Sequence, residues 1–506
     1  MLLQRFYNDK LAQASYLLGC EVSREALVLD PNRDAEQYVR AAKAAEMRIT
    51  HVSETHVHAD FVSGCRELVR RTGARLYLSA EGGADWRYLY AEEDGAQLLK
   101  NGDTFDVGGV RLEARHTPGH SPEHLSFIVT DTRGADRPMG IFTGDFVFVG
   151  DVGRPDLLER AARLTGTMDA AARTLFTALQ EFKRLPDYLQ VWPGHGAGSA
   201  CGKSLSAMPQ STVGYELRFN WALGVAKEDE FVSLVLAGQP DPPKYFAEMK
   251  RVNRDGPRVL GGFSKPERVD PTRLADVVAS GAIVIDTRPT TDYAAGHLPR
   301  TINIPFNSSF TTRAGRLVPY GREVYLLVAE GEQAAAAVAA AAARDLSLIG
   351  LDRVAGYFDA ATLADVGRLE KLPQMNTGQL AERLGDGQPP VVLDVRERDE
   401  WEAGHIAGAL NVPLGHLSER IAELERDRPL VLHCQSGGRS SVGASVLRAH
   451  GFSNVINLTD GFTGWQRRGL PVERPAPAEA SAPGSRGLGV ATPTSPSSSA
   501  GGSSST

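Results

Sequence analysis

The spacing of apolar and polar positions changes along the chain, and those changes mark out its parts. Ala26-Leu27-Val28-Leu29 is a short apolar run closed by Asp30, which predicts a buried strand. Helix-like runs follow, from Asp34 to Ala45 and from Cys65 to Thr72. Strand and helix periods mixed in this way predict α/β layers around a common core. From about residue 265 the pattern shifts and then repeats. Ile283-Val284-Ile285-Asp286-Thr287-Arg288 leads to Ala295-Gly296-His297-Leu298 and Asn303-Ile304-Pro305. Val392-Leu393-Asp394-Val395-Arg396 leads likewise to Ala403-Gly404-His405-Ile406 and Asn411-Val412-Pro413. Every matching position is offset by 108 residues. That is a duplicated domain, since a solenoid would repeat every 20–50 residues or so. Each copy opens with an apolar strand ending in Asp-x-Arg, and strands alternating with helices predict parallel sheets. The Ala-rich run from Ala334 to Ala343, stopped by Arg344 and Asp345, predicts a buried or half-buried helix.

Seven of the twelve histidines lie between His51 and His195, and none between 196 and 296, so the first segment reads as one metal-rich unit. The expected division is therefore 1–245, 246–372 and 373–474, with a tail from 475 to 506. A length of 506 residues suits about three domains. The tail is Pro, Ala, Gly and Ser with almost no large apolar residue, so disorder is expected there. A net charge of −7 argues against a nucleic-acid or anionic-membrane partner. Four cysteines cannot build a dense disulfide framework, which points to the cytoplasm. No stretch of about 20 apolar residues occurs, so no spanning helix is expected. Leu17-Leu18-Gly19-Cys20 has the outline of a lipoprotein cleavage box, but Arg5, Asp9 and Lys10 break the apolar core such a signal needs.

The first unit concentrates metal-capable residues in four Gly/Pro-punctuated loops. They are Thr55-His56-Val57-His58-Ala59-Asp60-Phe61, His116-Thr117-Pro118-Gly119-His120, Thr143-Gly144-Asp145 and Pro193-Gly194-His195-Gly196. Turn-forming residues allow such loops to converge at one sheet edge. Together these motifs resemble the metallo-β-lactamase superfamily over residues 1–245, which implies an αββα sandwich. In its two-metal hydrolases the motif is His-x-His-x-Asp-His. The resemblance implies a first metal on His56, His58 and His120, and a second on Asp60, the following His and His195, with Asp145 bridging. Here Phe61 stands where that following His is expected, and a phenyl ring donates no lone pair. The departure favours one metal over two. Within the superfamily, the persulfide dioxygenases hold a single Fe(II) on two His and one Asp, which carries over to His56, His120 and Asp145. That set leaves open positions for oxygen and a substrate sulfur. His58, Asp60 and His195 would then orient ligands or water from behind, with His58 a candidate fourth ligand. His116 and His124 read as structural. The choice of iron over zinc rests on the resemblance.

Two neighbouring residues carry alternatives. Arg154, in Asp151-Val152-Gly153-Arg154-Pro155-Asp156, reads either as a clamp on a substrate carboxylate or as an ion pair with Asp151 or Asp156. Cys201 reads either as a sulfur-relay thiol, with Lys203 lowering its pKa, or as an inert packed side chain.

The second chemistry lies in His433-Cys434-Gln435-Ser436-Gly437-Gly438-Arg439-Ser440, between an apolar strand and a helix-like run. A cysteine at such a turn faces backbone N–H groups and the positive end of a helix, and both stabilise a thiolate. Arg439 adds positive charge. Protein tyrosine phosphatases place five residues between Cys and Arg; here four intervene. The smaller loop resembles the rhodanese sulfurtransferases, as do the Asp-x-Arg and Ala-Gly-His signatures and Asp460-Gly461-Phe462-Thr463-Gly464-Trp465. That implies parallel-sheet α/β domains, with Cys434 as nucleophile and Arg439 beside it. In the first copy, aligning strand ends puts Ala329 opposite the nucleophile, and no cysteine occurs between 202 and 433. That copy is expected to be silent, a spacer or docking surface.

The whole chain except its tail resembles bacterial fusions of a persulfide dioxygenase with rhodanese domains. The resemblance implies one Fe(II) per chain, oxidation of a low-molecular-weight thiol persulfide by O2 to thiol and sulfite, and a Cys434 persulfide that forms or uses thiosulfate. It also implies a homo-oligomer. A zinc thioester hydrolase of glyoxalase II type, joined to rhodanese, is the alternative. A sulfur carrier or sensor with a dead first domain is a third reading.

Overall fold

The computed structural model describes residues 1–157, 159, 166–329, 332–364 and 369–474. The expected disordered tail lies outside the described residues. Two six-stranded sheets come first. The strands Leu2–Asn8 (β1), Gln13–Cys20 (β2), Glu25–Leu29 (β3), Arg48–Ser53 (β4), Arg75–Ser79 (β5) and Gln97–Leu99 (β6) lie side by side in chain order. The second sheet is also in chain order: Thr104–Val107 (β7), Val110–His116 (β8), Leu125–Asp131 (β9), Gly140–Gly144 (β10), Gln190–Pro193 (β11) and Ser211–Thr212 (β12). Between the sheets, Tyr16, Leu18, Leu27 and Leu29 meet Leu112, Phe127, Phe142 and Trp192 in one buried cluster. On the outer faces, Tyr38 and Leu68 from the helices Ala35–Ala44 and Cys65–Thr72 cover the first sheet. Leu175, Leu179 and Phe182 from the helix Met168–Phe182 cover the second. This is the expected αββα sandwich: each sheet has two apolar faces, and both need a covering layer.

The duplicated segments each fold on a parallel sheet. The first has the order β14-β13-β15-β16, with strands Ile283–Asp286 (β13), Ile302–Asn303 (β14), Val324–Val328 (β15) and Val354–Asp359 (β16). The second has the order β17-β22-β21-β18-β20. Its strands are Gln374–Met375 (β17), Val391–Asp394 (β18), Leu410–Asn411 (β20), Leu430–His433 (β21) and Val455–Leu458 (β22). His405–Ile406 (β19) pairs with Val472–Glu473 (β23).

The repeated motif turns out to be scaffolding. Arg288 donates from Nη2 to Asp286 at 2.6 Å and to the carbonyl of Gly296 at 2.9 Å. Arg396 donates likewise to Asp394 at 2.6 Å and to Gly404 at 2.8 Å. Asn303 and Asn411 each donate two hydrogen bonds to the carbonyls of their own Asp and Arg. His297 stacks on Tyr293 and His405 on Trp401. Each Asp-x-Arg thus closes a buried turn by charge-assisted hydrogen bonds, which are stronger than neutral ones.

The strand register corrects one detail. Asp286 pairs with Leu327 as Asp394 pairs with His433. The residue matching Cys434 is therefore Val328, one place before Ala329, because the segments that join the Asp-x-Arg strand to this strand differ in length. The copy still has no thiol there. The Ala-rich run is the helix Glu332–Leu348, which buries Ala335, Ala339, Ala342 and Leu346 along one face.

The first two domains grip each other through the helix Tyr245–Asp255 and the turn after the Ala-rich helix. The expected division between 245 and 246 falls at the first residue of that helix. Phe246 and Met249 share a cluster with Phe61 and Val62 on one side and Leu348 and Ile349 on the other. The Val62 amide donates to the carbonyl of Leu348 at 2.7 Å. Arg33, 4% exposed, donates to both oxygens of Asp352 at 2.7 and 2.9 Å and to the carbonyl of Arg258 at 2.6 Å. Removing the guanidinium leaves Asp352 unpaired in a half-buried seam, so Arg33→Ala should lower stability by about 2–3 kcal/mol. Urea unfolding followed by tryptophan fluorescence checks this, and an unchanged midpoint for the first transition would refute it.

Candidate metal centre and sulfur loop

Every expected metal residue sits just beyond the end of a strand. His56, His58 and Asp60 follow β4, His120 follows β8, Asp145 follows β10 and His195 follows β11. His56, His120 and Asp145 bring their donor atoms within 4.8 Å of one another, all buried. His120 Nε2 lies 3.5 Å and His56 Nε2 3.8 Å from Asp145 Oδ2. On the other side of that carboxylate, His195 Nε2 is 3.4 Å from Asp145 Oδ1 and 3.4 Å from Asp60 Oδ2.

The hydrogen bonds set which nitrogen of each ring faces the centre. Thr55 Oγ1 donates to Asp30 at 3.0 Å and so accepts from His56 Nδ1 at 2.9 Å. His195 Nδ1 donates to the carbonyl of Ala12 at 2.9 Å. In both rings the Nε2 lone pair is left for a ligand. His124 Nε2 accepts from the Asp145 amide at 3.1 Å and its Nδ1 donates to Thr117. Burial, with nearby imidazoles, holds the pKa of His124 down at about 3, so it is a neutral prop for the Asp145 turn. Burial likewise lowers His56 and His120 well below the usual range, which keeps them in the neutral, ligating form.

His58 is placed differently. Its Nε2 lies 3.1 Å from Asp30 Oδ1, and its Nδ1 is buried without a hydrogen-bond partner. Burial opposes its charge, yet Asp30, Glu54 and Asp60 overcome that and push its pKa up to about 9. With Nε2 held by Asp30, Nδ1 is the nitrogen left for a ligand, so His58 keeps its place as a candidate fourth ligand. Asp30 has φ 51°, a left-handed conformation that Asp tolerates better than most residues and that strains the backbone here.

All four carboxylate oxygens of Asp60 and Asp145 are buried without a hydrogen-bond partner. Burial pushes Asp145 up to about 6, against the pull of His195. Two orphan carboxylates beside neutral imidazole nitrogens are costly by themselves and fit a bound divalent cation. The chain therefore presents a His-His-Asp metal site. Phe61 is fully buried, its ring tilted by 34° and 4.4 Å from the His58 ring.

Sequence reasoning placed Cys201 near this site without joining it to the site. Its sulfur falls within 4.8 Å of the Asp60 and His195 donor atoms. The expected influence of Lys203 is absent. Lys203 donates to the carbonyls of Leu234 and Ala237 and lies over the Trp221 ring at 4.5 Å. Burial, then the charges of Asp145 and Asp60, pushes the Cys201 thiol well up. Arg154 is fully buried and clamps Asp156 with Nε at 2.8 Å and Nη2 at 2.6 Å. It also donates to the carbonyls of Ala200 and Pro240, so it braces the Cys201 loop rather than reaching a substrate carboxylate.

Sequence reasoning missed Asn253, which stands in the helix after the sandwich. Its Nδ2 donates to the carbonyls of His58 and Phe61 at 2.8 and 2.7 Å, and its Oδ1 accepts from the Ser63 amide at 2.9 Å. A lone Asn in an amphipathic helix carries no sequence signal for that task.

In the third domain Cys434 follows β21 and is 1% exposed. The Gly437 amide donates to its sulfur at 3.2 Å, and Ser440 Oγ lies 3.6 Å away. Gly437 needs φ 91°, and a Cβ there would meet the Thr459 carbonyl at 2.2 Å. Asp460 to Trp465 closes over the loop, with the Phe462 amide on the Cys434 carbonyl at 2.8 Å. Arg439 adds less free charge than expected: its two Nη atoms hold Glu400 at 2.5 and 2.7 Å.

Residues 9–195 match the model of the metallo-beta-lactamase superfamily, and residues 270–365 and 376–468 each match the rhodanese-like domain. A solved metallo-beta-lactamase from Staphylococcus aureus subsp. aureus COL is 40% identical, with TM-score 0.65, over 71% of this chain and 99% of its own. A sulfurtransferase of Allochromatium vinosum is 33% identical over 20% of this chain and 95% of its own. The chain belongs to the metallo-β-lactamase superfamily, fused to two rhodanese-like domains. Within this fusion family the first domain has relatives of two kinds. A mitochondrial persulfide dioxygenase of Bos taurus is 28% identical over 46% of this chain and 80% of its own. A probable metallo-hydrolase of Burkholderia pseudomallei is also 28% identical, over 46% of this chain and 85% of its own. Among the described residues no helix is long and apolar enough to cross a membrane.

Asp145→Asn removes the charge between the donor nitrogens and should lower bound metal from about one per chain to below a tenth, read by elemental analysis after dialysis. Asn253→Ala should lower it about tenfold through the loop carbonyls it releases, with the near-UV spectrum kept. Full metal retention in both would refute the assignment.

Proposed function

We propose that the first domain is a mononuclear Fe(II) persulfide dioxygenase and that Cys434 of the third domain is a sulfur-transferring nucleophile. The observation that carries the reading is the buried His56, His120 and Asp145 set with Phe61 in place of a further ligand. When bound there, Fe(II) would supply the open positions at which a persulfide sulfur and O2 meet. A thiol persulfide, O2 and water would give the thiol, sulfite and two protons. His56 and Asp145 hold their orientation through Thr55 and His124. Asp60 and His195 face the open side, where they can hold and pass a proton to and from bound water or substrate. Phe61 and Phe148 keep bulk water from that side. Cys201, its thiol pKa pushed well up by burial, would stay protonated there and take no sulfur.

At the third domain, the Cys434 thiolate would attack the outer sulfur of a second persulfide, form the Cys434 persulfide and release a thiol. Sulfite would then take that outer sulfur, leaving as thiosulfate and restoring the thiolate. Run backwards, the same step draws sulfur from thiosulfate. Holding both centres on one chain raises the local sulfite concentration at Cys434. With no membrane span among the described residues and four free cysteines, the cytoplasm suits this chemistry. The domains would divide as 1–245, 246–372 and 373–474, with the connecting helix shared.

One observation favours the hydrolase reading: Asp60, His195 and Cys201 form a second donor group beside the first. Hydrolysis of S-lactoylglutathione by zinc-loaded protein tests it. For the dioxygenase, anaerobically purified iron-loaded protein is given glutathione persulfide. Oxygen uptake with sulfite and thiosulfate is expected. Cys434→Ser should keep uptake within about twofold, while sulfite accumulates and thiosulfate falls at least tenfold. No uptake with several thiol persulfides, despite bound iron, would overturn the reading.

A further inference from the structure

The silent rhodanese copy carries no thiol, yet one of its helices packs onto the active copy. The helix Phe310–Leu317 buries Phe310, Ala314 and Leu317 in the apolar cluster that also holds Leu414, Leu417 and Cys434. Arg316 on that helix reaches Glu397 of the active domain at 2.5 Å and lies against Gly415. Arg313 stands three residues earlier, on the same side of the helix. It is half-buried and, among the described residues, its guanidinium has no carboxylate partner. It lies within electrostatic reach of both the Cys434 thiol and the Arg439 guanidinium. Burial disfavours its charge, while Cys434 favours it.

The other arginines of this region are spoken for. Arg439 is held by Glu400 and Arg396 by Asp394. Arg313 therefore lies near the sulfur loop, on the helix whose Arg316 holds Glu397, as a half-buried cation with no carboxylate partner among the described residues. The expected chemistry brings an anion. A dianion approaching a Cys434 thiolate, or attacking a Cys434 persulfide anion, meets like charge, and a guanidinium fork offsets that repulsion while fitting an oxyanion.

We propose that Arg313 of the silent domain binds the small sulfur oxyanion that exchanges sulfur with Cys434, so the anion site of the active loop is built from two domains. The substrate class is a doubly charged sulfur oxyanion, sulfite or thiosulfate. The inference rests on Cys434 as the sulfur-transferring thiol, but the anion site can be read without turnover.

The test compares two alkylating agents on the full-length protein. Iodoacetamide is neutral and iodoacetate is an anion of nearly the same size. Modification of Cys434 is followed by peptide mass spectrometry. Arg313→Gln should lower the ratio of iodoacetate to iodoacetamide rates about tenfold, with the iodoacetamide rate within about twofold of wild type. Arg313→Lys keeps the charge and should keep most of the ratio. An unchanged ratio in Arg313→Gln, or equal slowing by both agents, would overturn the proposal. In thiosulfate-to-cyanide transfer, Arg313→Gln should raise KM for thiosulfate about tenfold and change kcat less than about threefold. A fall in the alkylation ratio with no sulfurtransferase activity in wild type would support the anion site and sink the reading of Cys434.

Discussion

Asp60 and Asp145 are held away from water with no hydrogen-bond donor on any carboxylate oxygen, and the first domain is arranged around that constraint. Buried carboxylates of this kind take a proton or a cation. The tautomers suit the cation: Thr55 and Ala12 hold the Nδ1 side of His56 and His195, so the neutral rings present Nε2 lone pairs toward the aspartates. Glycines make the approach possible. A Cβ at Gly153 would lie 1.8 Å from the Asp145 carbonyl, and one at Gly194 would lie 2.8 Å from Asp145 Oδ1. The sandwich supplies rigidity, and the loops at its strand ends supply the donors.

The same constraint explains why the first domain is not self-sufficient. Its metal loop is pinned from outside the sandwich, by Asn253 on the connecting helix and by the Leu348 carbonyl of the silent rhodanese copy. The silent copy holds the active one on its other side, through Arg316 and Glu397 and through the Ser445 hydroxyl on the Asn303 amide. A domain that has lost its nucleophile can retain its fold because its Asp-x-Arg turn, not its thiol, carries the packing. Its place between the metal site and the sulfur loop gives a physical reason for its presence that a thiol does not.

Much of this was legible in the sequence because it is local. The strand-to-helix period changes gave the layers, and the 108-residue repeat gave two parallel-sheet units. Gly/Pro-punctuated loops gave the residues His56, His120, Asp145 and His195 as a set. What was not legible is long-range. Nothing in the segment around His58 shows that Asp30 captures it, because the partner lies 28 residues away on a strained turn. Lys203 is close to Cys201 in sequence but turns to a different helix end, so proximity in the chain misjudged the thiol. Arg439 is in the loop, as its spacing implied, but its charge belongs to Glu400. The register that sets Val328 against Cys434 depends on cross-strand pairing, which loop-length differences hide.

The two centres handle charge in opposite ways. The first gathers carboxylates and neutral imidazoles, a negative pocket that is complete only with a cation. The second gathers backbone donors around a sulfur, with the guanidinium groups of Arg439 and Arg396 already matched by Glu400 and Asp394. Both thiols near them, Cys201 and Cys434, are 1% exposed, so neither can hand sulfur to the other by direct contact in this conformation. A sulfur atom passed between them would therefore have to cross on a small carrier.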